Sequence, residues 1–129
     1  MAGKILDSNI VIDLFRENAE TIEKIKGISL IHIPVIVLGE LFYGANLSRQ
    51  VEKRIAQIRK FSSKVVLLDC DKTTAEYYGQ IKSQLKRDGK PIPENDVWIA
   101  AIAKQHNLTL VTNDAHFSYV EDLSIEKFK

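Results

Sequence analysis

The stretch "ILDSNIVIDLF", Ile5 to Phe15, decides how the chain folds. Ile5 and Leu6 form a short apolar run that stops at Asp7, after which Ile10, Val11, Leu14 and Phe15 recur at helical spacing. The hydrophobic pattern changes at the acid, so the segment is expected to be a strand that passes into a helix with a carboxylate on the junction. Whether this unit belongs to a parallel sheet depends on whether the alternation repeats.

It does repeat. "ENAETIEKIKG" (17–27) continues as a second amphipathic helix, with Asn18 as candidate cap and Gly27 as the stop. "ISLIHIP" (28–34) follows as a buried strand. From Val35 the pattern turns helical, and Leu47, Val51, Ile55 and Ile58 continue the stripe to about Ser63, with Arg49, Lys53, Arg54, Arg59 and Lys60 outward. "KVVLLDC" (64–70) is expected to be a third strand, apolar on both faces as parallel strands usually are. Thr73 and Glu76 suggest a capping box for a helix ending near Arg87, where "RDGKPIP" breaks it. Asp96 to His106 forms a helix whose residues Val97 to Ala103 are all apolar. "LTLVT" (108–112) is the fourth strand and "LSIEKF" (123–128) a short fifth. The expected fold is α/β, a three-layer α/β/α arrangement around a central, mainly parallel sheet of four to five strands with right-handed crossovers.

With 129 residues, 45% hydrophobic and 27% charged, the chain fits one domain spanning residues 1–129. A chain of this size buries about two-thirds of its unfolded surface, so neither metal nor disulfide is needed for folding and any metal is functional. Lys and Arg total 18 against 17 for Asp and Glu, so charge has to be argued locally. The lone Cys70 excludes an internal disulfide and a zinc-thiolate cluster, and fits a small core residue in a reducing compartment. The longest apolar runs fall short of a membrane span and "MAGKILDSN" lacks a signal-peptide core, so a cytoplasmic protein is expected.

In an open parallel sheet, ligands bind beyond the carboxyl ends of the strands, where the strand order reverses. Asp7 ends the first strand, Asp114 follows the fourth, Glu40 lies early in the helix after the second, and Asp96 opens the apolar helix. If the first and fourth strands are neighbours, Asp7 and Asp114 face each other and Glu40 and Asp96 close the crevice. Four carboxylates in one hole raise one another's pKa values, and a divalent cation resolves the repulsion. Oxygen ligands without thiolates favour Mg²⁺ or Mn²⁺. Taken singly, Asp96 is explained equally well as a helix cap, and Asp7 and Asp114 as turn acids. Glu40 fits no such role, since it sits within "VIVLGELFYG" and unpaired acids are rarely buried.

At these residues the chain resembles PIN-domain ribonucleases, and most closely the VapC toxins of bacterial and archaeal toxin–antitoxin pairs. "LDSNIVIDLF" (6–15) looks like the family's opening strand with its acid, and "VLGELFYGA" (37–45) like its Glu-Leu-x-x-Gly segment. "ENDVWIAAIAKQHNLTLVTNDAHF" (94–117) resembles its Asp-x-x-Ile-Ala-Ala helix followed by Thr-x-Asp and Phe. The resemblance covers nearly the whole length. It implies an acidic metal site of Asp7, Glu40, Asp96 and Asp114, with Thr112 and Asn113 supporting and Asn9 orienting its neighbours. The fourth acid is the least uniform among relatives, and Asp114 is preferred here to Asn113. The implied activity is metal-dependent RNA cleavage, of tRNA or ribosomal RNA, with one or two Mg²⁺ ions activating a water for in-line attack. The implied partners are a VapB-like antitoxin and a second copy of the chain.

Other residues have alternative readings. His116, two positions after Asp114, is either an RNA contact or a surface histidine, and Lys86, Arg87 and Lys90 are either phosphate contacts or exposed lysines and arginine. His32 fits a core histidine, and Trp98 and Tyr43 fit packing rather than base stacking. Ile10, Leu14, Phe15 and Ile22 are candidates for an antitoxin-binding face. Two rival functions remain open from the residues. One is a haloacid-dehalogenase-like phosphatase, whose second acid would stand where Asn9 is. The other is a nucleic-acid-binding or assembly module with an inactive site.

Overall fold

In the computed structural model, which describes residues 3–129, strand β1 (Lys4–Leu6) runs into helix α1 (Ser8–Phe15) through Asp7 alone. Helix α2 (Ala19–Lys26), strand β2 (Ile31–Pro34), helices α3 (Val35–Leu47) and α4 (Val51–Ser62), and strand β3 (Val66–Leu68) follow. The second half comprises α5 (Lys72–Asp88), α6 (Glu94–His106), β4 (Thr109–Val111), a 3-10 helix (Ala115–Tyr119) and β5 (Ile125–Glu126). The strands form one sheet in the order β3-β2-β1-β4-β5, and every neighbouring pair is parallel. This is the expected three-layer α/β/α architecture, with the fifth strand present. Among the described residues, no helix is long and apolar enough to cross a membrane.

The topology positions the site. β1 and β4 are adjacent, with Leu6 opposite Val111, so the order reverses between them. The residues that leave these two strands, Asp7 and Thr112, therefore emerge side by side at one edge. The Asp7 amide donates to the Val111 carbonyl at 3.0 Å, which carries the ladder up to the acid.

Helix α6 supplies the largest block of core residues. Val97 and Ile99 through Ala103 are all buried, together with Ile5, Leu6, Ile33, Leu110 and Val111 of the sheet. The helix packs on both α5 and α3, which explains an apolar surface that extends around it rather than along one stripe. Its alanines let backbones approach closely, and its isoleucines fill the space between.

Five local expectations need correction. The stripe from Val35 is broken after Leu47: Ser48 is extended, its hydroxyl donates to the Ala45 carbonyl and accepts from the Gln50 amide, and α4 starts afresh at Val51. The capping box of α5 is formed by Asp71 and Thr74, not Thr73 and Glu76, because Asp71 is the residue with extended backbone before the helix. β3 is the outermost strand and exposes Val66 and Leu67, so only Leu68 is buried there. Cys70 and Tyr43 are exposed, Tyr43 to 69%.

Candidate metal centre at the sheet edge

Asp7 caps α1 and bridges two strands at once. Its Oδ1 accepts the Ser8 amide at 2.8 Å, the ordinary satisfaction of a helix N-terminus. Its Oδ2 accepts from the Thr112 hydroxyl at 2.8 Å and from the Asn9 amide at 3.2 Å. Thr112 in turn accepts the Asp114 backbone amide at 3.0 Å, and Asn9 Oδ1 accepts the Asn113 amide at 3.2 Å. Residues about a hundred positions apart thus form one web around the Asp7 carboxylate. Asn9 and Thr112, named from the sequence as candidates to support the site, both donate to the Asp7 carboxylate, Asn9 as an amide with no acidic proton to offer.

The other three acids come from separate elements. Glu40 lies in the second turn of α3 and Asp96 in the first turn of α6, where the positive helix terminus favours its ionised form. Asp96 is not the cap: Pro93 holds that position, and the Asp96 amide donates to the Pro93 carbonyl. Asp114 precedes the 3-10 helix, and its Oδ1 accepts the His116 amide at 2.9 Å and lies 3.1 Å from His116 Nδ1. Asp7, Glu40, Asp96 and Asp114 all line one open cleft of about 470 Å³, together with Ser8, Asn9, Pro93, Glu94 and Asn95.

Crowding of carboxylates governs the electrostatics. Burial pushes Asp96 up to about 7, and the charges of Asp7, Asp114 and Glu40 add to the rise, with His116 opposing it. Burial also raises Asp7, against the lowering effect of its three hydrogen bonds, and Asp114 contributes repulsion. Glu40 is raised mainly by burial and further by Asp7, with hydrogen bonds from Asn95 and Ser8 opposing.

These features fit a divalent cation. Glu40 Oε1 is buried and has no hydrogen-bond partner among the described residues, an arrangement that costs about 1–3 kcal/mol unless a ligand relieves it. Asp96, Asp114 and His116 offer ligand atoms that all lie within 4.8 Å of one another. The donor set is carboxylate oxygen with one imidazole and no thiolate, which suits hard cations.

Not every candidate converges. Asn113 turns away from the cleft: its Oδ1 accepts the amides of Phe128 and Lys129, both at 3.1 Å, and pins the segment after β5. Asn113→Ala strands both amides and is expected to lower stability by about 1–2 kcal/mol in urea melts, with a hydrogen-exchange increase confined to residues near 128. Lys86, Arg87 and Lys90 are exposed and none lines the cleft. Lys86 and Arg87 sit in the last turn of α5, where cations complement the helix dipole. Trp98 is packed, as expected, stacking on Tyr78 at 4.1 Å between ring centroids. Sequence patterning missed Ser8 and Asn95 as cleft residues. Their side chains reach Glu40 only because α1 and α6 converge on α3, a tertiary relationship with no local signature.

Comparison with known proteins identifies the family. The family model described as "PIN domain" matches residues 4–123. The chain is 38% identical over 116 residues to Ribonuclease VapC2 of Haemophilus influenzae, covering 88% of each sequence. It is 33% identical over 112 residues to the tRNA(fMet)-specific endonuclease VapC of Shigella flexneri, covering 85% of each. Its fold superposes on a chain of the DNA-bound VapBC structure from Salmonella typhimurium with a TM-score of 0.92, 31% identity and full coverage of both chains. A family model spanning nearly the whole chain, with relatives of this identity and coverage, establishes that the chain belongs to the PIN-domain family, among the VapC ribonucleases.

Proposed function

We propose that the protein is a metal-dependent endoribonuclease, the toxin of a VapBC-type pair, which hydrolyses RNA phosphodiester bonds with Mg²⁺ or Mn²⁺ held by Asp7, Glu40, Asp96 and Asp114. The observation that carries this reading is the meeting of four carboxylates from four separate elements in one cleft, in a chain similar to VapC ribonucleases. Membership of that family also weighs against the phosphatase alternative.

A divalent cation bound there supplies charge neutralisation for the scissile phosphate and a lowered pKa for an attacking water. The protein's own residues prepare the site. Asn9 and Thr112 fix the orientation of Asp7 through its Oδ2, so this carboxylate needs no reorganisation when it binds. Glu40 presents a dry oxygen, and Asp96 is held at the mouth of α6. His116, exposed at the rim beside Asp114, is placed to meet a phosphate oxygen of the RNA. Because the cleft is acidic, phosphate binding depends on the cation.

The antitoxin partner follows from the relatives, which were solved as VapBC complexes. An apolar groove of about 310 Å³ lined by Ile12, Phe15 and Leu41, with Arg16 and Arg54, lies between α1, α3 and α4 and shares Glu40 with the acidic cleft. A VapB-like helix docked there would sit against the active centre. Ile10 does not contribute, since it is fully buried in the core. Incubation of purified protein with tRNA and ribosomal RNA should give defined cleavage in Mg²⁺ or Mn²⁺ and none in EDTA, with end sequencing locating the cut. Full cleavage in chelator, or intact RNA in every metal-loaded reaction, would remove this function.

A further inference from the structure

We propose that Tyr119, flanked by Lys90 and His116, is a nucleotide subsite that holds an unstacked base of the RNA next to the acidic cleft. This inference rests on the ribonuclease function proposed above and names the residues that would hold one unstacked nucleotide of that RNA beside the cut.

Tyr119 closes the 3-10 helix that begins just after Asp114. The residue is 40% exposed, although Phe117 and Val120 nearby in the chain are buried. The ring centroid lies 6.4 Å from that of His116, whose Nδ1 is 3.1 Å from Asp114 Oδ1 at the cleft. Lys90 Nζ lies over the Tyr119 ring, 5.1 Å from its centroid. A strip of imidazole, phenol and ammonium thus leads out of a cleft whose own walls are acidic.

The strip is built rather than incidental. Gln84, buried in α5, donates to the Tyr119 carbonyl at 3.0 Å and to Asp88 Oδ2 at 2.6 Å, and its Oε1 accepts the Glu121 amide at 3.1 Å. One buried side chain therefore fixes the backbone on both sides of Val120 and ties it to the end of α5. Immediately beyond, Gly89 in the left-handed conformation reverses the chain and delivers Lys90. A fixed backbone under an exposed aromatic ring presents a stacking face with little further loss of freedom on binding. Trp98 does not offer the same, because Tyr78 already stacks on it. Base stacking on an aromatic side chain is sequence-tolerant, and an ammonium beside it serves the phosphate of the same nucleotide.

The test measures binding of a single-stranded oligoribonucleotide carrying 2-aminopurine to protein with all four cleft acids intact, in Ca²⁺ in place of Mg²⁺, with gels checking that the RNA stays whole. Tyr119→Ala should raise Kd about tenfold and abolish quenching of the stacked base, whereas Tyr119→Phe and Tyr119→Trp should preserve both. Lys90→Ala should reduce the slope of log Kd against log salt by about 0.7, the loss of one phosphate contact to a single strand. Thermal melts of each variant separate binding loss from unfolding. Unchanged Kd and quenching in Tyr119→Ala, with the wild-type protein binding the same RNA, would overturn the subsite and leave the ribonuclease function standing. Absence of RNA binding together with absence of cleavage by the wild-type protein would overturn both.

Discussion

Asp96→Asn is expected to lower cleavage by about 10²–10³-fold or more while making the metal-free protein more stable at neutral pH. The two effects have one cause. Asp96 is 8% exposed, and its carboxyl is pushed up to about 7 by burial and by the charges of Asp7, Asp114 and Glu40. Asparagine keeps the shape, leaves no cavity and removes the charge that the other three acids repel. In EDTA at pH 7.5 the variant should therefore melt above the wild type, and the rise in melting temperature that Mg²⁺ gives the wild type should shrink. A structural role for Asp96 predicts the opposite sign, because loss of a stabilising contact lowers stability along with activity. Gel-based cleavage assays and thermal melts on the same preparations decide the matter. Normal turnover by Asp96→Asn, or a lower melting temperature in EDTA, would sink the assignment.

The metal-free wild type should be more stable at pH 5 than at pH 8, the reverse of what carboxylates engaged in ion pairs produce. Between the ordinary value of 3.8 and about 7, the folded protein holds a proton on Asp96 that the unfolded chain has released. Stability conferred by that proton is complete below the unfolded value and is lost as pH rises through the folded one. Asp7 and Glu40 are raised as well and act in the same direction. The combined effect is on the order of a few kcal/mol, or several degrees in melting temperature for a domain of this size. Divalent cations should reverse the trend, since their ligands must be deprotonated, so stabilisation by Mg²⁺ should be large at pH 8 and small at pH 5. Melts at the two pH values with EDTA and with Mg²⁺ measure all four corners. A metal-free protein that gains stability from pH 5 to pH 8 would contradict the crowding of these acids.

Much of the fold was legible because it depends on local periodicity. Ile5 and Leu6 before Asp7, and the apolar run Val97 to Ala103, mark a strand and a buried helix without reference to the rest of the chain. The edge rule for parallel sheets then placed Asp7, Glu40, Asp96 and Asp114 on a common rim, and all four line one cleft in the structure. Local patterning failed where neighbouring candidates compete. Asp71 and Thr74 cap α5 although Thr73 and Glu76 two positions on carry the same signature, and Ser48 interrupts a stripe that hydrophobicity alone continues. It also could not distinguish a central strand from an edge strand, and Val66 and Leu67 are exposed because β3 lies at the sheet edge.

By itself, the sequence determined the order of strands and helices and the edge on which the acids lie, because both follow from side-chain period and chain direction. Tertiary structure alone decided that Asn113 turns to the backbone near Phe128 while Asp114 faces the cleft, that Glu40 keeps an oxygen without a partner among the described residues, and that Lys90 meets Tyr119. Each of these outcomes depends on groups from segments that meet only in the packed chain, where removal of water sets which polar atoms find partners and which remain for a ligand.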